Sequence, residues 1–429
     1  MSAQLIICIV IFVLTLVSFI LNKIPMWVTS MISLGALYIT GCLTTSQALA
    51  GFANSNTILM VGMFLIANGF QKTTFVDTLC DKVIKLARGS FTGAYAMYIV
   101  LTALLTSFIS SPVACYTVVV PLIGALCDRM HVSRSKVMFP TMVTVVATCG
   151  ALPFATAIQQ AAQDNGFLAT YGFTVTMSPM NYFIGKLPVL ILVPLWAIFL
   201  GPKMCPAEPV VPITGASSSA QKKASTLTPF QNKAAIVIFF GSMVFLILSS
   251  VLGIESWFIA FVGGLLMVIT GALDHRTAMK DIPWDMILLY VGALGLGNAL
   301  TATGAGDVIG NLFAAAVGGS TNNYVLGALF FIIPFIITQF MLNRAVVAVF
   351  TPICLLTCQA LGANPIGLLV LVQCASLTAF LTPMATPAVP VCMNQGGYDL
   401  KTLWKSGWLI TIVLAVVYVF YVMTVYPAF

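Results

Sequence analysis

Charge is what this chain has least of. Lys and Arg number 18 and Asp and Glu 11 in 429 residues, so 7% of the sequence is charged, against roughly 25% in soluble domains. With 60% hydrophobic residues, the solvent that suits its surface is lipid. Histidine is nearly absent: His131 and His275 each stand alone in a basic loop, as solvated residues do and metal ligands do not. The eleven cysteines show no CxxC or Cys/His spacing, and Cys8, Cys42 and Cys354 lie in apolar runs, where cysteine behaves as a small hydrophobe. The net charge of +7 comes without a basic patch interleaved with aromatics, which argues against a nucleic-acid partner. No Lys or Arg precedes the first apolar run, residues 4–21, and Lys23 follows it, so it reads as a span rather than a cleaved leader.

What the chain does have is a segment written twice, about 230 residues apart. Trp27 and Gly41 recur as Trp257 and Gly271; Gly62, Asn68 and Asp77 recur as Gly292, Asn298 and Asp307. Pro121 recurs as Pro352, one residue out of step, and Leu152-Pro153-Phe154-Ala155-Thr156 recurs as Thr382-Pro383-Met384-Ala385-Thr386. A membrane chain of two such halves, each with an interrupted hydrophobic segment, has the pattern of a secondary transporter, and the interruptions point to its site.

Apolar runs predict spans near 3–22, 27–44, 57–70, 137–150 with 157–163, and 181–200. In the second half they fall near 233–252, 256–273, 285–300, 364–381 with 387–394, and 406–426. Residues 93–127 and 323–360 are apolar but interrupted by polar tips, and each reads as a re-entrant hairpin of two half-length helices. Non-helical backbone at that depth must be covered by protein or line a cavity. Five crossings and one hairpin per half put two sets of eight basic residues, 16 of the 18, on one face. Lys186 is left on the other face and Arg344 within the membrane. The basic face is then cytoplasmic and both termini lie outside, with the halves inverted relative to each other. The expected division is 1–204 as the first repeat (hairpin 93–127, broken helix 137–163), 205–230 as a cytoplasmic linker, and 231–429 as the second repeat (hairpin 323–360, broken helix 364–394). Residues 73–90 suggest an amphipathic helix at the interface, although a loop fits its C-terminal part equally. The fold class is therefore an all-α polytopic membrane protein.

The breaks carry the chemistry. The first tip offers Ser107, Ser110 and Ser111; the first broken helix offers Gly150, Pro153, Ala155 and Thr156. The second tip offers Thr338, Asn343 and Arg344; its partner break offers Thr382, Pro383, Ala385, Thr386 and Pro387. Hydroxyls and carbonyls freed by proline are hard oxygen ligands for a small alkali cation, and helix N-termini suit a carboxylate. A single Ser in a membrane helix usually just bonds the preceding turn, and Gly292, Gly295 and Gly297 suit helix packing. The symmetry of Ser107 with Thr338 and of Thr156 with Thr386 sets the breaks apart. Arg344 at membrane depth marks a ligand site or pathway rather than a residue snorkelling outward. All eleven acidic residues are placed in loops or near interfaces, none of them in the breaks. That argues against a carboxylate proton relay and against a cationic substrate.

These motifs resemble those of the divalent anion/sodium symporters, the dicarboxylate, citrate and sulfate carriers of the ion-transporter superfamily. The resemblance runs from Gly51-Phe52-Ala53 and Ile58-Leu59-Met60-Val61-Gly62-Met63-Phe64 through both hairpins and both breaks. It implies an inverted-repeat homodimer with an elevator-type mobile half. The family's Ser-Asn-Thr tips fall here on Ser111-Pro112-Val113 and Leu342-Asn343-Arg344, and Ala157 replaces the first-half break proline. By this resemblance Ser107 with the Ala155 carbonyl, and Thr338 with the Ala385 carbonyl, are candidate sodium ligands, together with Ser111 and Asn343. Pro112, Val113 and Leu342 remove ligands, and Arg344 adds a fixed charge that could grip a carboxylate or replace a sodium ion.

The reading is a secondary active transporter of a small anion, a di- or tricarboxylate, in a bacterial inner membrane, working by alternating access with sodium coupling or by exchange. Ser110, Ser111, Thr156, Asn343, Arg344 and Thr386 are the candidate anion ligands. The rivals are the membrane subunit of a binding-protein-dependent carboxylate transporter and an anion channel. An enzyme is disfavoured because no nucleophile–base pair or metal cluster is placed at depth, and no cofactor is expected beyond sodium as a coupling ion.

Overall fold

In a computed structural model of the chain, residues 3–21, 23–75, 78, 90–109, 111–213, 227–316 and 322–429 are described, and every regular element among them is a helix. The first half contributes α1 (Ala3–Leu21), α2 (Met26–Ile39), α3 (Ser55–Gln71), α4 (Phe91–Phe108), α5 (Pro112–Arg129), α6 (Met138–Ala147), α7 (Ala155–Thr170) and α8 (Pro179–Phe199). The second contributes α9 (Pro229–Ile247), α10 (Ser256–Ile269), α11 (Trp284–Thr303), α12 (Ala305–Ala316), α13 (Asn323–Thr338), α14 (Asn343–Leu361), α15 (Ile366–Leu377), α16 (Ala388–Gly396) and α17 (Leu400–Val425). Among the described residues, seven of these helices (α4, α5, α8, α9, α11, α14 and α17) are long and apolar enough to cross a membrane. Large apolar side chains such as Val10, Leu14, Val237, Ile269 and Phe420 face outward, as lipid-facing surface does.

Local chemistry sets the ends of these helices. Ser178 and Thr228 form capping boxes with Asn181 and Gln231 at the starts of α8 and α9, and Pro179 and Pro229 sit in the first turn, where the missing N–H costs nothing. Asn322 and Asp399 cap α13 and α17 by accepting from backbone N–H groups of Tyr324, Val325 and Thr402.

The two halves exchange partners. Helix α3 packs along α10 and α11 along α2, while α8 lies against α17. Both exchanged crossings turn on glycine. A Cβ on Gly62 would stand 2.4 Å from the Ala260 carbonyl oxygen, and one on Gly292 would stand 2.1 Å from Ser30 Oγ. Gly62 and Gly292 occupy equivalent places in the sequence repeat, as do Ser30 and Ala260. The absent side chains let the backbones touch, which drives association where lipid removes the hydrophobic gain.

Two expectations need correction. The arms of the interrupted stretches are not half-length: α4, α5, α13 and α14 have 18, 18, 16 and 19 residues. The short pieces are α6, α15 and α16, of 10, 12 and 9 residues, in the broken helices. The stretch between the expected span 285–300 and the expected hairpin 323–360 contains a further helix, α12. Most of the expected amphipathic helix at 73–90, and residues 214–226 of the linker, lie outside the described residues.

Replacing Gly62 by Ala should force α3 and α10 apart and cost about 1–3 kcal/mol. Gly35→Ala, where an added Cβ meets nothing within 4 Å, should be neutral or stabilising by about 0.5–1 kcal/mol. Thermal unfolding in detergent should separate the two; equal shifts would contradict the close-crossing account.

Candidate functional site

Both interrupted stretches and both broken helices end at one place. Helix α4 stops at Phe108, and α5 restarts at Pro112, with Ser111 Oγ accepting from the Ala114 N–H at 3.4 Å. Helix α6 stops at Ala147, the chain turns through Gly150 at φ +64°, and α7 starts at Ala155. In the second half α14 starts at Asn343 after the tip 339–342, and α16 starts at Ala388 after Pro387. The first residues of α5, α7, α14 and α16, or those just before them, line a single cavity of about 350 Å³. Each helix N-terminus carries free N–H groups and about half a positive charge.

The structure brings together Ser111, Thr156, Asn343, Arg344, Ala385 and Thr386 in the wall of this cavity. Ser107, Ala155 and Thr338 are fully buried just behind it, and Ser110 lies outside the described residues. Arg344 is accessible because it lines the cavity. Asp285, in the first turn of α11, is the one carboxylate in the wall among the described residues. It interacts electrostatically with Arg344, so the arginine has a counter-charge that comes from outside the breaks.

Hydroxyls tie each tip to its break. Thr156 Oγ1 donates to the carbonyls of Thr106 at 3.2 Å and Ser107 at 3.4 Å, while Ser107 Oγ has no partner among the described residues. In the second half Thr338 Oγ1 lies 3.1 Å from Asn343 Oδ1 and 3.2 Å from the Ser376 carbonyl. Gln339 Nε2 donates to the Thr378 carbonyl at 3.2 Å, and the Thr382 hydroxyl donates to the Gln339 carbonyl.

Sequence reasoning missed much of the wall. Gln159, Gln160 and Gln163 on α7 and Gln373 and Ser376 on α15 line it. The available signal was the polar run Gln159-Gln160 with Gln163-Asp164 directly after a helix break. The expected span ends at 163, whereas α7 continues to Thr170. Asp164 and Lys186, expected near an interface and on a membrane face, are both fully buried within the protein. Lys186 Nζ donates to the Cys149 carbonyl at 2.9 Å and stands 5.4 Å from the centre of the Tyr182 ring. The Tyr182 hydroxyl donates to Asp164.

Residues 1–428 match the family described as the sodium:sulfate symporter transmembrane region. An uncharacterized transporter of Haemophilus influenzae is 23% identical over 390 residues, covering 88% of this chain and 82% of that protein. The chloroplastic dicarboxylate transporter 1 of Arabidopsis thaliana is 23% identical, with 94% and 74% covered. The sodium-dependent dicarboxylate transporter SdcS of Staphylococcus saprophyticus is 20% identical, with 95% and 83% covered. Among solved structures, the YdaH transporter of Alcanivorax borkumensis superposes with a TM-score of 0.60 at 14% identity, covering 89% of this chain and 87% of that one. MtrF of Neisseria gonorrhoeae gives 0.61 at 14% identity, covering 98% and 94%. At that identity the likeness is one of fold.

Gly150 and Gly172 both hold left-handed backbone, at φ +64° and +73°, so Ala at either should cost about 1–2 kcal/mol. Only at Gly150 would the new Cβ meet Gln160 Oε1, at 2.4 Å, and push that side chain off the cavity wall. Thermal unfolding should therefore shift alike in the two variants, while ligand affinity falls in Gly150→Ala alone. A matched loss of affinity would show that Gln160 has no part in the site.

Proposed function

The chain belongs to the sodium:sulfate symporter family of membrane transporters, and from that premise we propose that it is a secondary active transporter of a small anion, a di- or tricarboxylate. The observation that carries this is the convergence of four helix N-termini and Arg344 on one cavity. Together the dipole ends supply about two positive charges in a low-dielectric setting, and a guanidinium adds a planar fork matched to a carboxylate. Ser111, Thr156, Asn343, Arg344 and Thr386 hold the anion. A cavity of about 350 Å³ falls at the small end of the range for small-molecule sites. The names of the relatives in Arabidopsis thaliana and Staphylococcus saprophyticus point to the same substrate class.

The transport cycle is alternating access of the elevator type. Two inverted repeats would place the anion between the tips, with the exchanged pairs α3–α10 and α2–α11 as scaffold in a homodimer. The matched glycine crossings support the repeat. Both termini lie outside a bacterial inner membrane. Where sodium couples transport, it sits at Ser107 with the Ala155 carbonyl, or at Thr338 with the Ala385 carbonyl. Ser107 Oγ, lacking a partner among the described residues, supports the first. Exchange without sodium remains the second mode of the same reading, favoured by the fixed charge of Arg344 beside the second tip.

Uptake and counterflow of labelled succinate, citrate and sulfate in proteoliposomes, with and without sodium, test this. At least one of the carboxylates should exchange against unlabelled substrate. Arg344→Thr should weaken its affinity about tenfold to a hundredfold, the worth of a hydrogen bond to a charged group. Arg344→Lys should fall between, keeping the charge and losing the fork. Carriage of cations alone, or an unchanged Arg344→Thr protein, would refute the assignment.

A further inference from the structure

We propose that Asp164, Tyr182 and Lys186 form a proton-binding site that couples the movement of the anion to that of a proton. The inference rests on the anion-carrier reading above and adds a co-transported ion to it. All three side chains are fully buried, in helices α7 and α8 of a lipid-embedded chain, where ionisable groups are costly unless they have a task. Neither charge is closed into an ion pair. The ammonium takes a neutral acceptor, the Cys149 carbonyl at 2.9 Å, and the face of Tyr182. The carboxylate takes the Tyr182 hydroxyl on one oxygen, and its other oxygen, Oδ1, has no partner among the described residues. That free oxygen is where a proton can be accepted.

The cluster stands directly behind the cavity. Cys149 and Gln373 line the wall; Lys186 is bonded to the first, and the Tyr182 hydroxyl engages the second. Helices α3, α4, α8, α11 and α14 pack against α7. Asp164 feels Tyr182 and Lys186 from α8, Tyr290 from α11 and Cys354 from α14. Helix α3 has no ionisable residue, α4 has Tyr95 and Tyr98, and the charged residues of α11 and α14, Asp285 and Arg344, line the cavity. Lys186 is thus the one cation among the groups acting on Asp164. While Asp164 is ionised, its charge and that of Lys186 cancel as seen from the cavity. A proton on Asp164 leaves Lys186 uncompensated behind the wall, and an anion in the cavity is then held more tightly. By reciprocity the bound anion favours the protonated carboxyl, so the two ligands bind and leave together.

Proteoliposomes with labelled succinate and an internal pH indicator, without sodium, provide the test. In the natural sequence an inward proton gradient should drive succinate accumulation accompanied by proton entry. In Asp164→Asn the ratio of gradient-driven accumulation to counterflow should fall at least about tenfold, within the usual range of site–site coupling. Tyr182→Phe should displace the pH profile of accumulation while counterflow persists. Accumulation indifferent to the proton gradient, or an Asp164→Asn protein with an undiminished ratio, would overturn the proton site and leave the carrier standing. Should Asp164→Asn lose counterflow altogether, an unshifted profile in Tyr182→Phe overturns the site. Absence of counterflow for succinate, citrate and sulfate in the natural sequence would remove both the carrier reading and this one.

Discussion

Four helices begin around one cavity, and their unpaired backbone groups govern what can surround them. In lipid an unmet N–H or C=O costs several kcal/mol, at about the price of a lost hydrogen bond. The structure treats the two kinds of helix end differently. Carbonyls at the ends of α4 and α15 are met by protein donors: Thr156 reaches Thr106 and Ser107, Thr338 reaches Ser376, and Gln339 reaches Thr378. The N–H ends of α5, α7, α14 and α16 instead open toward the cavity. Carbonyl ends met by donors and N-terminal ends gathered at the cavity, capped only in part by Ser111 and Thr386, make it attractive to anions before any charged side chain is counted. Arg344 strengthens a field that the backbone has already set.

The same constraint explains why hydroxyls and glycines recur at the tips and crossings. A tip can lie at depth only if its break lies beside it to supply donors, and the frame must let helices approach closely. At Gly62 and Gly292 the neighbouring backbone or side chain occupies the space of a Cβ. At Gly150 the left-handed turn between α6 and α7 sets the direction from which α7 presents its N-terminus.

The part of this that the sequence exposed is the part written as a break in an apolar run. Pro112, Pro153, Pro387 and the polar residues beside them interrupt hydrophobic stretches, so the tips, the broken helices and the lining residues Ser111, Thr156, Asn343, Arg344 and Thr386 were legible. The glutamines of α7 and the buried pair were not. Hydropathy reads Gln159-Gln160 and Gln163-Asp164-Asn165 as the end of a span, because it assumes that polar residues leave the membrane. They stay inside when protein and a cavity surround them, which depends on packing that no local window contains. Lys186 shows the same failure: its only signal was a solitary charge in an apolar helix, which a charge-counting rule assigns to a face. Asp285 was visible at the start of the expected span 285–300, but its place in the wall depends on how α11 meets the second tip.

The sequence repeat is matched at Gly62 and Gly292, and the polar and charged residues depart from it. Stepping 230 residues from Gln159, Gln160 and Gln163 gives Val389, Pro390 and Met393, and stepping from Tyr182 and Lys186 gives Ile412 and Val416. The first half therefore holds the glutamines of α7 and the ionisable pair, while the second adds Gln373, Ser376 and Arg344 to the same wall, opposite a first tip with Pro112 and Val113. The two halves do different work on that account. A guanidinium stays protonated throughout the accessible pH range, so Arg344 contributes a constant charge and cannot vary its hold on a ligand by losing a proton. A carrier that tightens and loosens its grip in step with a second ion needs a charge that changes. Among the described residues Asp164 is the one fully buried carboxylate, and it sits with its lysine on the far side of the wall from the constant charge. On the proposed reading Arg344 grips and Asp164 couples, from helices α14 and α7 that pack against each other.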